Sequence, residues 1–213
     1  MKISNAAQHL AEVSAEFPAT ADSTFVVQLP VWRTGRYQAL PLTTGIRQLA
    51  ATGNHGRALT VTKLDKASWQ IDKQPGEVVT VRYEMYANEL GQRARHIDDS
   101  HAYLNGSTVW LYHPDQRDAP IEGTLQVPAG WISRAGMAKR TCDHCFVAAD
   151  YVVLADPPIE TGTHEFHTFV VDGEAIELAI WGAGNHDGKQ IAADLQKIVA
   201  TTGKLSGSYP FER

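Results

Sequence analysis

The stretch Glu77-Val78-Val79-Thr80-Val81-Arg82-Tyr83-Glu84-Met85-Tyr86-Ala87 is the part of this 213-residue chain that decides its fold class. From Val79 to Met85, every second position is apolar or aromatic and alternates with residues such as Arg82 and Glu84. Successive side chains of a strand point to opposite faces of a sheet, so a period of two predicts a strand with one buried face.

Similar runs lie on both sides of this stretch. Residues 10–17 alternate with the same period, and the other predicted strands are 24–29, 58–64, 68–72, 108–112 and 123–127. Turn signals such as Pro75-Gly76 and Asn105-Gly106 separate them. Many short strands with almost no helical periodicity predict a mainly β chain, an antiparallel β-sandwich.

After Pro157-Pro158 the pattern changes. Residues 164–171 and 175–181 predict a β-hairpin across Asp172-Gly173. Asp187 and Gln190 predict a capped helix start, and Gly203 a helix stop. The predicted apolar face of that helix is Ile191, Leu195, Ile198 and Val199. A hairpin and one helix cannot build a core alone, so we expect these apolar faces to need either the sandwich or further downstream sequence. A fragment that leaves such a face exposed is expected to self-associate.

Composition excludes several functions. The chain is 43% hydrophobic and 20% charged, as in ordinary globular proteins. Its net charge of −5 argues against nucleic-acid partners and against binding to an anionic membrane. No apolar run approaches the ~20 residues that span a bilayer, and the start has no apolar signal core. We therefore expect a cytoplasmic protein.

Three motifs resemble catalytic or binding sites but lack their required spacing. In His164-Glu165-Phe166-His167 the histidines are three apart, whereas a zinc peptidase helix needs them four apart; on a strand they face opposite sides and are expected at an edge or in solvent. The glycines of Gly182–Lys189 fit neither a dinucleotide nor a phosphate loop. Both cysteines lie in Cys142-Asp143-His144-Cys145, where an ordinary loop is expected, although a redox pair or half a zinc site has the same spacing.

The densest polar cluster is His96-Ile97-Asp98-Asp99-Ser100-His101. Two carboxylates and two histidines within six residues could bind a metal or transfer protons. The neighbouring Arg93 and Arg95 equally suggest a solvated, ion-paired loop. The residues alone therefore assign no catalytic group and no metal ligand.

Several segments, in order along the chain, resemble the glycyl aminopeptidases, a family of zinc metallopeptidases. Leu29–Tyr37 is similar to that family's Leu-Pro-x-Trp-x-x-Gly-x-Tyr signature, and Asp65–Trp69 to its Asp-Lys-x-x-Trp segment. The remaining segments of the resemblance are 79–86, 88–90, 96–105, 150–151, 154–162, 180–182, 184–185 and 210–213.

The resemblance implies an N-terminal β-sandwich domain over residues 1–150, with residues 151–213 as the first hairpin and helix of an α/β zinc peptidase domain. It implies a Zn²⁺ cofactor in the full-length protein, none in this fragment, and peptide substrates with N-terminal glycine or other small residues. The zinc ligands and catalytic glutamate match no position here, so the chain itself is expected to be inactive. His96, Asp98, Asp99 and His101 would form a substrate-cleft loop. A non-enzymatic β-sandwich module that binds a peptide or partner at a sheet edge is the alternative.

Overall fold

A computed structural model describes residues 1–31, 39, 43–92, 94–139 and 142–209. The stretch 32–37 of the Leu29–Tyr37 signature, Arg93 and the C-terminal segment 210–213 lie outside the described residues. The strands are β1 (Lys2–Asn5), β2 (Leu10–Phe17), β3 (Thr24–Gln28), β4 (Ile46–Thr52), β5 (Ala58–Lys63), β6 (Ser68–Asp72), β7 (Val79–Tyr86), β8 (Arg95–Ile97), β9 (His101–Asn105), β10 (Ile121–Thr124), β11 (Ile132–Ala135), β12 (Ala138–Lys139), β13 (Cys145–Ala148), β14 (Pro158–Gly162), β15 (Glu165–Val171) and β16 (Glu174–Ile180). The helices are α1 (Gly106–Val109), α2 (Tyr151–Ala155) and α3 (Gly188–Ser206).

The strand predicted from the opening stretch, β7, lies inside a seven-stranded sheet ordered β1-β2-β7-β4-β5-β6-β3. It pairs antiparallel with β2 along its whole length, from Leu10 opposite Tyr86 to Phe17 opposite Val79, and with β4 on its other side. The residues that alternate toward the core, among them Val79 and Val81, are fully buried. The period of two is therefore confirmed.

Two smaller antiparallel sheets complete the β structure around this core. One is ordered β11-β14-β9-β8 and the other β10-β13-β12. One apolar cluster joins residues of the seven-stranded sheet, such as Ile71, with Ile97 and Leu104 of the four-stranded sheet and with Leu154 of α2. The prediction of a mainly β chain with antiparallel sheets is confirmed.

The hairpin and the helix form as predicted, with one correction. β15 and β16 pair across Asp172 and Gly173, which both have positive φ, the backbone of a tight hairpin turn. The side chain of Asp187 caps α3 by accepting hydrogen bonds from the backbone of the next turn. The predicted stop at Gly203 is wrong, because the helix continues to Ser206 and ends at Gly207, whose φ is 77°.

Gly203 has a packing role instead. It is buried, and an added Cβ would lie 2.3 Å from the Tyr209 hydroxyl oxygen, which in turn donates to Asp172. The predicted apolar face of α3 is also split. Leu195 and Val199 are half-buried, whereas Ile191 and Ile198 are exposed.

The prediction of a strand at 108–112 is wrong. Residues 106–109 form α1, and only Tyr112 makes an isolated bridge, to Gln28. The Thr108 hydroxyl donates to the carbonyl of Asn105, and the Ser107 hydroxyl to the Asn105 side chain, so local bonds compete with sheet pairing. The strand predicted at 123–127 lies slightly earlier, as β10.

The two cysteines form a disulfide, Cys142–Cys145. Cys142 is exposed in a turn, and Cys145 begins β13. Paired in this way, they offer no thiolate to a metal. None of the described helices combines the length and hydrophobicity that crossing a bilayer requires.

Candidate functional site

The polar cluster predicted at 96–101 is a strand–turn–strand unit rather than a solvated loop. His96 lies in β8 and His101 begins β9, and these residues are only 6% and 2% exposed. Asp99 alone of the four predicted site residues is exposed. Arg95, expected to ion-pair in solvent, is buried and donates to the backbone carbonyls of Tyr86, Thr108 and Thr44.

Sheet register brings a distant carboxylate to the same face. In the four-stranded sheet, β9 lies between β8 and β14, and Tyr103 is paired with His96 on one side and Glu160 on the other. Paired residues share a face, and His101 lies two residues from Tyr103. His96, His101 and Glu160 therefore project from one face of the sheet.

Asp98 organises the turn between β8 and β9. Its Oδ1 accepts hydrogen bonds from the Ser100 amide (2.8 Å), the Ser100 hydroxyl (2.7 Å) and the His101 amide (3.0 Å). Its Oδ2 lies 3.2 Å from Nε2 of His96. Partial burial opposes ionisation of Asp98, but these hydrogen bonds outweigh it and hold the pKa of the carboxyl well below its ordinary value. The carboxylate is therefore a fixed negative charge.

His101 lies at the centre of the cluster. Its Nδ1 is 3.4 Å from Oδ1 of Asp98, and its Nε2 is 3.9 Å from Oε1 of Glu160. Trp181, the residue after β16, stacks on the imidazole with ring centroids 3.7 Å apart and donates its indole N–H to the Ser100 hydroxyl. Burial lowers the pKa of His101, so the ring is mainly neutral at pH 7.

Glu160 and His164 form a partly buried pair beside His101. Oε1 of Glu160 lies 2.6 Å from Nε2 of His164. Burial, with repulsion from Asp98, raises the pKa of Glu160 to about 8, and burial lowers the pKa of His164. At neutral pH we therefore place the shared proton on Glu160, which donates it to a neutral imidazole.

His164 corrects a further prediction. Its side chain is 1% exposed and not in solvent. His167, the third residue of β15, instead contacts the Glu165 carboxylate. That carboxylate also lies 3.1 Å from Nε2 of His186. The two histidines of the apparent motif thus belong to different groups and cannot ligate one ion.

Sequence reasoning missed Glu160, His164 and Trp181 as members of the cluster. The pairing of β14 with β9, with Gly162 opposite His101, places Glu160, and the pairing of β15 with β16, with Glu165 opposite Ile180, places Trp181 near His164. Gly162 permits the close approach, because an added Cβ would lie 2.6 Å from the Cβ of His101. Only the presence of Glu160 and Trp181 in segments of the family resemblance pointed toward them.

The cluster can hold charge and protons. Its Ser100 hydroxyl donates to Asp98 and accepts from Trp181, but a carboxylate whose pKa lies well below its ordinary value is too weak a base to make that hydroxyl a nucleophile. Among the described residues, His96, Asp98 and His101 each offer one ligand atom, and these three atoms lie within 4.8 Å of one another. A divalent cation is the ligand that this arrangement suits.

Comparisons with known proteins agree with the predicted family. The family model of the peptidase M61 N-terminal domain matches residues 1–163. Among solved structures, an aminopeptidase N family protein from Idiomarina loihiensis superposes with a TM-score of 0.92 at 30% identity, over 99% of this chain and 37% of that one. A variant M1 zinc metallopeptidase from Deinococcus radiodurans, bound to a Tyr-Ser-Ala substrate, is 14% identical over 95% of this chain and 50% of that one. Its TM-score of 0.46 is too low to support an argument. A search of curated proteins found no match.

This chain thus spans little more than a third of the length of the Idiomarina protein. The family model covers most of the described β structure, from β1 to β14. The chain belongs to the peptidase M61 family and carries an aminopeptidase-family N-terminal domain over residues 1–163.

Proposed function

We propose that this chain is the N-terminal region of a zinc-dependent aminopeptidase that removes glycine or other small N-terminal residues from peptides. The observation that carries the proposal is the match of residues 1–163 to the M61 N-terminal domain, together with the likeness of the whole chain to a longer aminopeptidase-family protein. Peptide would bind mainly to a catalytic domain that follows these residues. The 213-residue chain by itself would be inactive.

The described residues do not fit the catalytic zinc of such an enzyme. That ion needs a His-Glu-x-x-His helix, and the nearest sequence, His164–His167, enters a strand with its histidines in separate contacts. When bound, the zinc of the full-length protein would activate water for attack on the peptide carbonyl. We assign no step of that reaction to this chain.

The β domain would form one wall of the substrate cleft. The turn at Asp98 and Asp99 offers two carboxylates near the surface, and Asp99 is exposed. A pair of negative charges attracts the ammonium group of a peptide. Of the predicted loop, the two aspartates are therefore the residues we expect substrate to approach, while His96 and His101 support them from within the sheet.

An activity comparison tests the main proposal. The 213-residue chain and the protein encoded by its continued reading frame should be assayed with glycyl, alanyl and leucyl chromogenic amides. We expect hydrolysis only by the longer protein, faster with glycyl and alanyl substrates, and loss of activity on chelation with recovery on adding Zn²⁺. Hydrolysis by the 213-residue chain, or a longer protein that is inactive with zinc, would refute the proposal.

A second assay tests the cleft wall. In the longer protein, Asp99→Asn should raise KM about 2- to 5-fold with little change in kcat, because one exposed charge contributes up to about 1 kcal/mol. Combining it with Asp98→Asn should raise KM further. Asp115→Asn, at an exposed carboxylate elsewhere, is the control. An unchanged KM in the double variant would exclude contact with the substrate ammonium.

We propose a β domain followed by the start of a peptidase domain, although Tyr151, Leu154 and Ile159 pack in the main apolar cluster and favour a boundary near residue 163 rather than 150.

We expect no nucleic-acid or membrane partner, given the net charge of −5. A cytoplasmic location stays a prediction, and the Cys142–Cys145 disulfide, a bond typical of oxidising compartments, argues against it.

A further inference from the structure

We propose that His96, Asp98 and His101 form a binding site for one Zn²⁺ ion in the β domain. The proposal rests on their geometry and does not need the peptidase activity. It assigns Asp98 to the ion and leaves the exposed Asp99 as the carboxylate for a substrate ammonium group. Two imidazoles and one carboxylate are a donor set that Zn²⁺ prefers, whereas Mg²⁺ and Ca²⁺ favour oxygen ligands. Three protein ligands leave the fourth tetrahedral position to water.

The spacing of the donor atoms supports zinc. Zn²⁺ binds nitrogen and carboxylate oxygen at roughly 2.0–2.2 Å, which places neighbouring ligands of a tetrahedral site about 3.3 Å apart. Nε2 of His96 lies 3.2 Å from Oδ2 of Asp98, and Nδ1 of His101 lies 3.4 Å from Oδ1 of the same carboxylate. The edge between Nε2 of His96 and Oδ2 of Asp98 therefore already has the required length, and the three ligand atoms lie within 4.8 Å of one another.

The ligands are held in place by contacts that a metal would not disturb. Three donors, two from Ser100 and one from the His101 amide, fix Oδ1 of Asp98, which leaves Oδ2 for an ion. Stacking on Trp181 fixes the orientation of the His101 ring. Nδ1 of His96 is buried with no hydrogen-bond partner among the described residues, so the ring's polar contact is the one toward Asp98. Preorganised ligands of this kind lose little entropy when they bind a metal.

The surroundings of His101 fit a metal ligand as well. With Nδ1 on the ion, its Nε2–H would point toward Glu160, whose Oε1 lies 3.9 Å away. An oxygen of the Glu160 carboxyl group can accept that N–H even when the group is protonated, and such a contact behind a ligating histidine fixes the orientation of the ring. The ion could enter from the side of Asp98, because that side chain is 29% exposed while both histidines are buried.

Cobalt(II) titration of the tag-free 213-residue chain tests the site. Co²⁺ replaces Zn²⁺ in such sites and absorbs visible light strongly when tetrahedral. We expect one Co²⁺ per chain, displaced by one Zn²⁺. Asp98→Asn and His96→Gln should each weaken binding more than about 100-fold, beyond the 10- to 100-fold typical of lost outer-shell partners. The asparagine oxygen can still accept the bonds from Ser100 and His101, so the turn should survive.

Two control variants distinguish binding at this site from binding at a neighbouring surface group. Asp99→Asn removes an adjacent exposed carboxylate, and His186→Gln removes a member of the surface group with Glu165 and His167. Both should bind Co²⁺ as the unaltered chain does. Absence of the tetrahedral band, its persistence in Asp98→Asn and His96→Gln, or its loss in His186→Gln would each overturn the proposal.

Thermal unfolding supplies a second readout. Zn²⁺ should raise Tm of the unaltered chain and of Asp99→Asn, because a ligand that binds only the folded state stabilises it. It should leave Tm of Asp98→Asn unchanged. If His96→Gln does not fold, Asp98→Asn carries the test by itself; an equal zinc shift in all variants would refute the site. No peptide substrate takes part, so a failed peptidase assay would leave this result unaffected.

Discussion

At the scale of single residues, Glu77 shows how one buried carboxylate joins two turns. It accepts hydrogen bonds from the amides of Asn54 (3.0 Å) and Gln74 (2.9 Å) and from the Arg57 guanidinium (2.6 Å). Gly53 makes room for it, because an added Cβ would lie 1.9 Å from Oε1. The Gln74 amide, with Arg57 and Asn54, holds the pKa of Glu77 below its ordinary value.

This carboxylate predicts a pH-dependent stability. A lowered pKa in the folded state means that the ionised group stabilises the fold above the ordinary carboxyl pKa of about 4, and that this stability is lost as pH falls. Glu77→Gln should therefore lower Tm by roughly 2–6 °C at pH 7, with the gap narrowing toward pH 3. Glu16→Gln, at an exposed position, should change little. A gap of equal size at both pH values would contradict the assignment.

Gly106 marks a second site where one atom decides packing. An added Cβ would lie 2.2 Å from the carbonyl oxygen of Leu154 and 2.8 Å from Cα of Ala155, both in the backbone of α2. Gly106→Ala should cost about 1–3 kcal/mol in free energy of unfolding, because the helices must move apart. Urea unfolding measures this. Gly136→Ala should cost less, because a Cβ added at Gly136 would lie 3.3 Å from the side chain of Pro157 and touch no backbone atom as closely. Equal losses of unfolding free energy in the two variants would refute the backbone clash at Gly106.

At the scale of elements, β15, β16 and α3 form a unit outside the main apolar cluster, in which none of their described residues takes part. Trp181 attaches this unit to the turn at Ser100 and His101. Arg134 of β11 adds an ion pair of 3.1 Å to Glu177 and lies over the ring of Phe166. Within the described part of the chain, the unit is therefore held to the β domain mainly through Trp181 and Arg134.

Trp181→Ala should loosen that unit without unfolding the sheets. We expect faster amide hydrogen exchange in β15, β16 and α3 and unchanged protection in β2 and β7, because weakly attached units open independently of the core. Leu205→Ala, at an exposed residue of the same helix, should leave exchange as it is. Equal acceleration throughout the chain would show that the unit and the sheets unfold together.

At the scale of the whole molecule, α3 exposes a line of apolar side chains. Ile191, Ile198 and Leu205 are seven residues apart, and the last two are 58% and 85% exposed. The opposite side of the helix, at Ala192 and Gly203, is buried. Exposed apolar surface of this kind favours association with another surface.

The 213-residue chain is therefore expected to self-associate as its concentration rises. Sedimentation velocity should show a shift to larger species that Ile198→Glu abolishes, because burying an unpaired charge in an apolar contact is unfavourable. Ala193→Glu, an exposed position on the other side of α3, is the matched control. A chain that stays monomeric at all concentrations would instead favour the alternative of a self-contained binding module.

The sequence by itself determined the mainly β class, the position of β7, the 172–173 hairpin turn and the cap at Asp187, because each depends on neighbouring residues. It also carried the family resemblance. It could not locate α1, the true end of α3 or the burial of His96 and His101. α1 and the end of α3 depend on local side-chain bonds and backbone conformation that leave no hydrophobic period in the sequence. The burial of His96 and His101 depends on packing between distant segments. The cluster with Glu160, His164 and Trp181 was decided by tertiary structure, since the registers of β14 on β9 and of β16 on β15 bring together residues that lie up to 85 positions apart, from His96 to Trp181.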